Sequence, residues 1–126
     1  MRELLRDRER LEHILAAIER VNRYTCNKTY DDLVADDMMY YAVVKNIEII
    51  GEAANMITKE FQEAHPEAPW KKVKGMRNYI VHEYCQVDDI VVWDVVTKGL
   101  VDLKKQIVKY LDETNWDEWT SPSSNE

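Results

Sequence analysis

The chain has just two cysteines, Cys26 and Cys85, far apart and in no CxxC pair, which argues against a disulfide scaffold or a zinc ribbon. Three glycines and three prolines among 126 residues argue against collagen-like, low-complexity and wholly disordered chains. Long apolar runs are missing as well. The longest, Met38 to Val44, falls far short of the roughly 20 residues of a membrane-spanning helix. The opening stretch MRELLRDRERLEHIL carries a charge every few residues and no apolar core, so no secretory signal is expected. These absences point to a cytoplasmic protein in a reducing compartment, with both thiols free and no membrane partner. No internal repeat or interdomain linker stands out.

Against these absences stand 33% charged and 45% apolar residues in a one-domain length. A chain of this size buries roughly two thirds of its unfolded surface, so a core can form without disulfides or metal. Lys and Arg number 17 against 24 Asp and Glu, a net charge of −7. Such acidity argues against a nucleic-acid partner. The average conceals an exception. Residues 68–82 contain Lys71, Lys72, Lys74 and Arg77 and no acidic residue, so the other 111 residues carry −11. That patch is a landing place for phosphate, or else a solvated basic helix face.

Apolar spacing is helical throughout. Leu4, Leu11, Leu15, Ile18 and Val21 form one stripe over residues 2 to about 24. Thr29-Tyr-Asp-Asp resembles a helix-start box with a short extra turn near Asp31, and Asp36-Asp37 offers a second cap. Val43, Ile47, Ile50, Ala54 and Ile57 then mark a long helix ending near Thr58 or somewhat beyond. Gly51 in that helix reads as a close-packing position, and Glu48 and Glu52 as a solvated face. The two prolines of His65-Pro-Glu-Ala-Pro-Trp70 break the chain. A third helix is expected from about Trp70 to His82, on Val73, Met76 and Ile80. After a break at Cys85-Gln-Val, Asp88 or Asp89 caps a last helix with Trp93, Val96, Leu100, Leu103, Ile107 and Leu111 as its stripe. The expected fold is all-α: an antiparallel up-and-down bundle of four main helices plus a short one, over residues 1–115. Residues 116–126, Ser/Pro-rich from Thr120, read as a flexible C-terminal tail.

On a continuous third helix, at 100° per residue, Asn78 and His82 lie about 40° apart and Arg77 and Tyr84 align within about 20°. A guanidinium that grips phosphate bidentately beside an imidazole that titrates near neutrality is a minimal kit for phosphodiester chemistry. A lone His near a helix end is more often structural.

Arg77-Asn-Tyr-Ile-Val-His82-Glu-Tyr84 matches the Arg-x4-His-x-Tyr motif of HEPN-domain toxins of the HepT type. Asn46-Ile-Glu-Ile-Ile-Gly-Glu-Ala-Ala54, Phe61-Gln-Glu-Ala-His-Pro-Glu-Ala-Pro-Trp70, Gly75-Met-Arg-Asn78 and Val91-Val-Trp-Asp94 also resemble that family, in order, so the likeness covers about residues 4 to 110. The resemblance implies a homodimeric helical bundle with the motifs of two subunits facing a shared cleft. It implies a ribonuclease toxin of a type VII-like toxin–antitoxin system, needing no metal or other cofactor. Its partners would be RNA and an MNT-type nucleotidyltransferase antitoxin that uses ATP to attach AMP to the motif tyrosine. Carried over, Arg77 and His82 are catalytic, Asn78 supports them, and Tyr84 is the AMPylation site. Lys71, Lys72 and Lys74 are candidate contacts to RNA phosphate.

Two other readings stay open. One is a non-catalytic nucleotide- or RNA-binding subunit, or a docking subunit of a nucleotidyltransferase complex. The other is a plain dimeric scaffold with Trp93, Trp116 and Trp119 at its interface. A metal site through Cys26, Cys85 and His82 fits no familiar ligand spacing.

Overall fold

The computed structural model describes residues 6–76, 81–82, 86–87 and 89–119. The expected all-α class is met, apart from one two-residue antiparallel pairing. Helix α1, Asp7–Thr25, places Asp7 and Glu9 at its first turn and Arg23 at its last, matching the helix dipole. Asn27, with φ of 59°, occupies the left-handed region that Asn tolerates better than most residues, and turns the chain.

Helix α2, Tyr30–Ala35, starts at a full capping box. The Thr29 hydroxyl accepts from the Asp32 N–H at 3.1 Å, and the Asp32 carboxylate accepts from the Thr29 N–H at 2.9 Å. The Thr29 N–H, and after it the Thr29 side chain, hold the Asp32 carboxyl below its ordinary value. Helix α3, Asp37–Met56, is capped by Asp36, whose carboxylate accepts from the Met39 N–H at 3.1 Å. Both sequence-expected caps are therefore in use.

Helices α1 and α3 run antiparallel. Arg10 near the start of α1 donates to the Met56 carbonyl at the end of α3, while Arg20 donates to the Asn46 side chain at 2.7 Å. Between them lie Leu11, Ile14, Ile18 and Val21 against Val43, Ile47, Ile50 and Ala54, all fully buried. Gly51 is buried, as a close-packing position requires, while of the expected solvated pair Glu52 is exposed and Glu48 is half-buried.

Helix α4, Lys59–Ala64, is capped by Thr58 and carries Phe61, which is fully buried. Helix α5, Trp70–Lys74, follows the proline loop. Strands β1, Val81–His82, and β2, Gln86–Val87, pair antiparallel with Val81 opposite Val87 and His82 opposite Gln86. Helix α6, Asp89–Asp94, runs through a π-helical stretch, Val95–Gly99, into α7, Leu100–Glu113, whose Leu100, Leu103, Ile107 and Tyr110 join the core. The β-prone Ile90-Val-Val-Trp93 is helical, as its longer periodicity requires.

Among the described residues the helix expected from Trp70 to His82 is corrected at two places, a turn at Gly75, after which Met76 is helical again, and the strand at Val81–His82. Helix α5 ends at Lys74, with Lys71, Lys72 and Lys74 all in its last turn, where cations complement the dipole, and with the Gly75 N–H on the Lys71 carbonyl at 3.1 Å. By Val81–His82 the backbone is extended, in line with the β-branched preference of that stretch. Residues Trp116–Trp119, placed in the tail by composition, form a last helical turn, α8. Trp116 lies parallel to the Phe61 ring at 5.8 Å and Trp119 edge-on at 5.3 Å, while Trp93 meets Tyr30 edge-on. Among the described residues no helix is long and apolar enough to cross a membrane.

Candidate functional site

The segment between Met76 and Asp89 holds the Arg–His–Tyr pattern, and both of its ends are fixed. On the N-terminal side Trp70, Val73 and Met76 are buried, and the Trp70 indole donates to the His65 carbonyl at 2.8 Å. On the C-terminal side the Tyr40 hydroxyl of α3 donates to the Asp89 carboxylate, at the first residue of α6, and Val92 is fully buried. Between these anchors, the backbone of His82 is in β1, two residues before Tyr84 and opposite Gln86. Arg77, Asn78 and Tyr84 lie outside the described residues. Because His82 is in a strand, the helical arithmetic that places it 40° from Asn78 no longer applies.

The basic patch is split by the helix that carries it. Lys71 and Lys74, three residues apart, line one groove with Lys59 and Gln62, and the Lys74 ammonium donates to the Gln62 side chain at 3.1 Å. Lys72 faces elsewhere, into a cleft of about 240 Å³ shared with Met76, Val91, Asp94, Val95, Lys98 and Gly99. Of the three lysines, Lys72 is therefore the one that meets the cleft bordered by both ends of the motif segment. Lys98 is a second cation there that the sequence patch, ending at His82, does not reveal. Its only sequence signal is its place one helical turn after Asp94.

Neither of the other histidines joins this region. His13 is exposed on α1 beside Glu9, at 4.0 Å. His65 closes α4, stacked on Phe61 at 4.0 Å with its Nδ1 at 3.0 Å from the Phe61 carbonyl. A hollow of about 850 Å³ is lined by Glu60, Glu63, Glu67, Glu113 and Glu118, against one cation, Lys109, around His65, Tyr110 and Trp119, and its net negative charge repels phosphate. Burial and the nearby Glu67 push the Tyr110 hydroxyl there up to about 12. Among the described residues no three His, Cys, Asp or Glu side chains converge as metal ligands.

The family model described as Ribonuclease HepT-like matches residues 14–110, which enclose the whole motif segment. The chain is 37% identical over 103 residues to "Putative RNase TTE0752" of Caldanaerobacter subterraneus, covering 82% of this chain and 92% of that protein. It is 36% identical over 99 residues to "Probable ribonuclease HepT" of Thermococcus cleftensis, covering 79% and 90%. It is also 40% identical over 103 residues to "Gamma-glutamylcyclotransferase and putative RNase MJ0434" of Methanocaldococcus jannaschii, spanning 82% of this chain and 46% of that longer protein. No solved structure gives a significant match.

Proposed function

The chain belongs to the HepT-like ribonuclease family, and on that premise we propose that it is a metal-independent endoribonuclease, the toxin of a toxin–antitoxin pair. The observation that carries the reading is the family match across residues 14–110, with Arg77, His82 and Tyr84 in place inside it. RNA brings its own nucleophile, the 2′-hydroxyl, so cleavage needs a base, an acid and a partner for the charged phosphorane. His82 withdraws the 2′-hydroxyl proton as the oxygen attacks phosphorus. The 5′-oxygen leaves and takes a proton from a second imidazole. Products are a 2′,3′-cyclic phosphate and a 5′-hydroxyl. Arg77 holds the non-bridging oxygens bidentately, with Asn78 supporting it.

One chain brings one motif histidine, and His13 and His65 are committed elsewhere. An antiparallel helical bundle that dimerises, with two motif segments facing one cleft, supplies the second. Lys72 meets RNA phosphate at the cleft it shares with Lys98 within one chain, and Lys71 and Lys74 act on the next groove. An MNT-type nucleotidyltransferase switches the enzyme off by transferring AMP from ATP to Tyr84, two residues from His82. The added phosphodiester charge competes with RNA for Arg77 and blocks the cleft.

Intact-mass spectrometry after co-expression with an MNT-type nucleotidyltransferase tests the regulation. Mass gains in whole AMP units, lost in Tyr84→Phe, are expected. An unmodified wild type, or gains that persist in Tyr84→Phe, overturns this part. The binding-subunit alternative requires RNA or nucleotide binding without cleavage and an inert His82→Ala phenotype.

A further inference from the structure

The cleft between α5 and the π-helical stretch combines an apolar lining from Met76, Val91 and Val95 with a charged rim from Lys72, Lys98 and Asp94. At about 240 Å³ it lies just under the usual range for small-molecule pockets, roughly 300–1,000 Å³, and has room for one nucleobase rather than a strand. Gly99 leaves it open: a Cβ built there meets nothing within 4 Å. Met76 directly precedes Arg77 and Val91 closely follows Asp88, so the motif segment leaves and returns at this cleft. One wall is the π stretch Val95–Gly99, a departure from α-helical geometry of the kind that concentrates at functional sites.

We infer that this cleft is a subsite for the nucleotide beside the scissile bond, and that Asp94 makes it select guanine. The inference rests on the ribonuclease reading. An unstacked base lies on the Met76 thioether and the valine methyls, and Lys72 and Lys98 meet its phosphate. An ionised Asp94 only accepts hydrogen bonds. Guanine alone among the four bases presents two neighbouring donors, N1–H and N2–H2, on its Watson–Crick edge. Lys98 and Asp94 are 3.9 Å apart, with side chains 80% and 61% exposed, a pair of little net strength that separates readily to take these two groups.

The test titrates the full chain with the 3′-monophosphates of guanosine, adenosine, cytidine and uridine, and maps cuts in a mixed-sequence RNA. Guanosine 3′-monophosphate is expected to bind at least tenfold tighter than the others, with cuts beside guanines. Gly99→Leu fills the open space and removes a helix-weakening glycine, so it keeps or raises the melting temperature while losing nucleotide binding. Asp94→Asn loses the tenfold preference. Lys98→Glu, at an exposed position, weakens all four ligands and reads the same cleft independently of the glycine change. Equal binding of the four monophosphates, or a preference unchanged in Gly99→Leu, overturns the subsite. RNA cut without regard to base overturns the subsite and leaves the ribonuclease reading standing. Selective guanosine binding without any cleavage does the reverse.

Discussion

Asp7 opens α1, yet it is fully buried. Its carboxylate accepts from the Thr58 N–H at 2.9 Å, the Thr58 hydroxyl at 2.6 Å and the Trp119 indole N–H at 3.2 Å. Two distant segments thus close on one side chain. Asp7→Ala leaves two N–H donors without an acceptor, at roughly 1–3 kcal/mol each, and removes the cost of burying a charge, for a net loss of about 2–4 kcal/mol. With a urea m value of about 2 kcal/mol/M, the middle of the usual range, the unfolding midpoint falls by about 1–2 M. Urea titration read by tryptophan fluorescence measures it. A double-mutant cycle with Trp119→Phe isolates the carboxylate–indole bond and is expected to show coupling of about 1 kcal/mol; additivity within about 0.5 kcal/mol refutes the clasp. The pH dependence has a definite sign. Burial pushes the Asp7 carboxyl above 3.8, outweighing its hydrogen bonds and the attraction of Arg10. The folded chain therefore holds this proton more tightly than the unfolded one. The resulting stability is fully present below 3.8 and lost as pH rises through the raised value, so the gap between wild type and Asp7→Ala narrows over that interval. A gap that widens instead contradicts the burial argument.

Phe61 sits among His65, Trp70, Tyr110, Trp116 and Trp119, with ring centroids between 4.0 and 6.3 Å. Phe61→Ala is expected to cost about 3–5 kcal/mol, read by thermal unfolding, and a loss under about 1 kcal/mol contradicts this hub. Tyr110 is expected to ionise at about 12 in an ultraviolet titration referenced to Tyr110→Phe, and Glu67→Gln lowers that value by removing a like charge. Since the folded value stands above 10.0, the Tyr110 contribution to stability is lost as pH rises through about 12.

Local chemistry made much of this fold legible. Thr29 and Asp36 are caps because their short oxygens reach free N–H groups, and that signal is contained within four residues. Val43, Ile47, Ile50, Ala54 and Ile57 are all buried because a helix with this spacing has a single apolar face to bury. The third helix departs from its expected course at Gly75 and Val81–His82 for a related reason. Its stripe of Val73, Met76 and Ile80 remains periodic past Lys74, and periodicity alone does not register a C-terminal turn loaded with cations or the strand pairing of His82 with Gln86. The aromatic role of Trp116 and Trp119 is hidden by the polar tail that follows them, since partners far back in the chain, Phe61 for both rings and Asp7 for the Trp119 indole, give them a place. The site shows the same contrast. The motif is contiguous and readable, whereas the partition of Lys72 from Lys71 and Lys74, and the arrival of Lys98 and Asp94, depend on helix faces and on α6 returning beside α5.

The most direct test of the proposed activity is cleavage of single-stranded RNA by the purified wild-type protein in EDTA, with the product ends identified, beside Arg77→Ala and His82→Ala variants shown by circular dichroism to be folded. The expected result is 2′,3′-cyclic phosphate and 5′-hydroxyl ends from wild type and a loss of at least a hundredfold in rate in each variant, within the range ascribed to acid–base catalysis, about 10²–10⁴-fold. Cleavage that persists in both folded variants, or no cleavage by the wild type, contradicts the assignment.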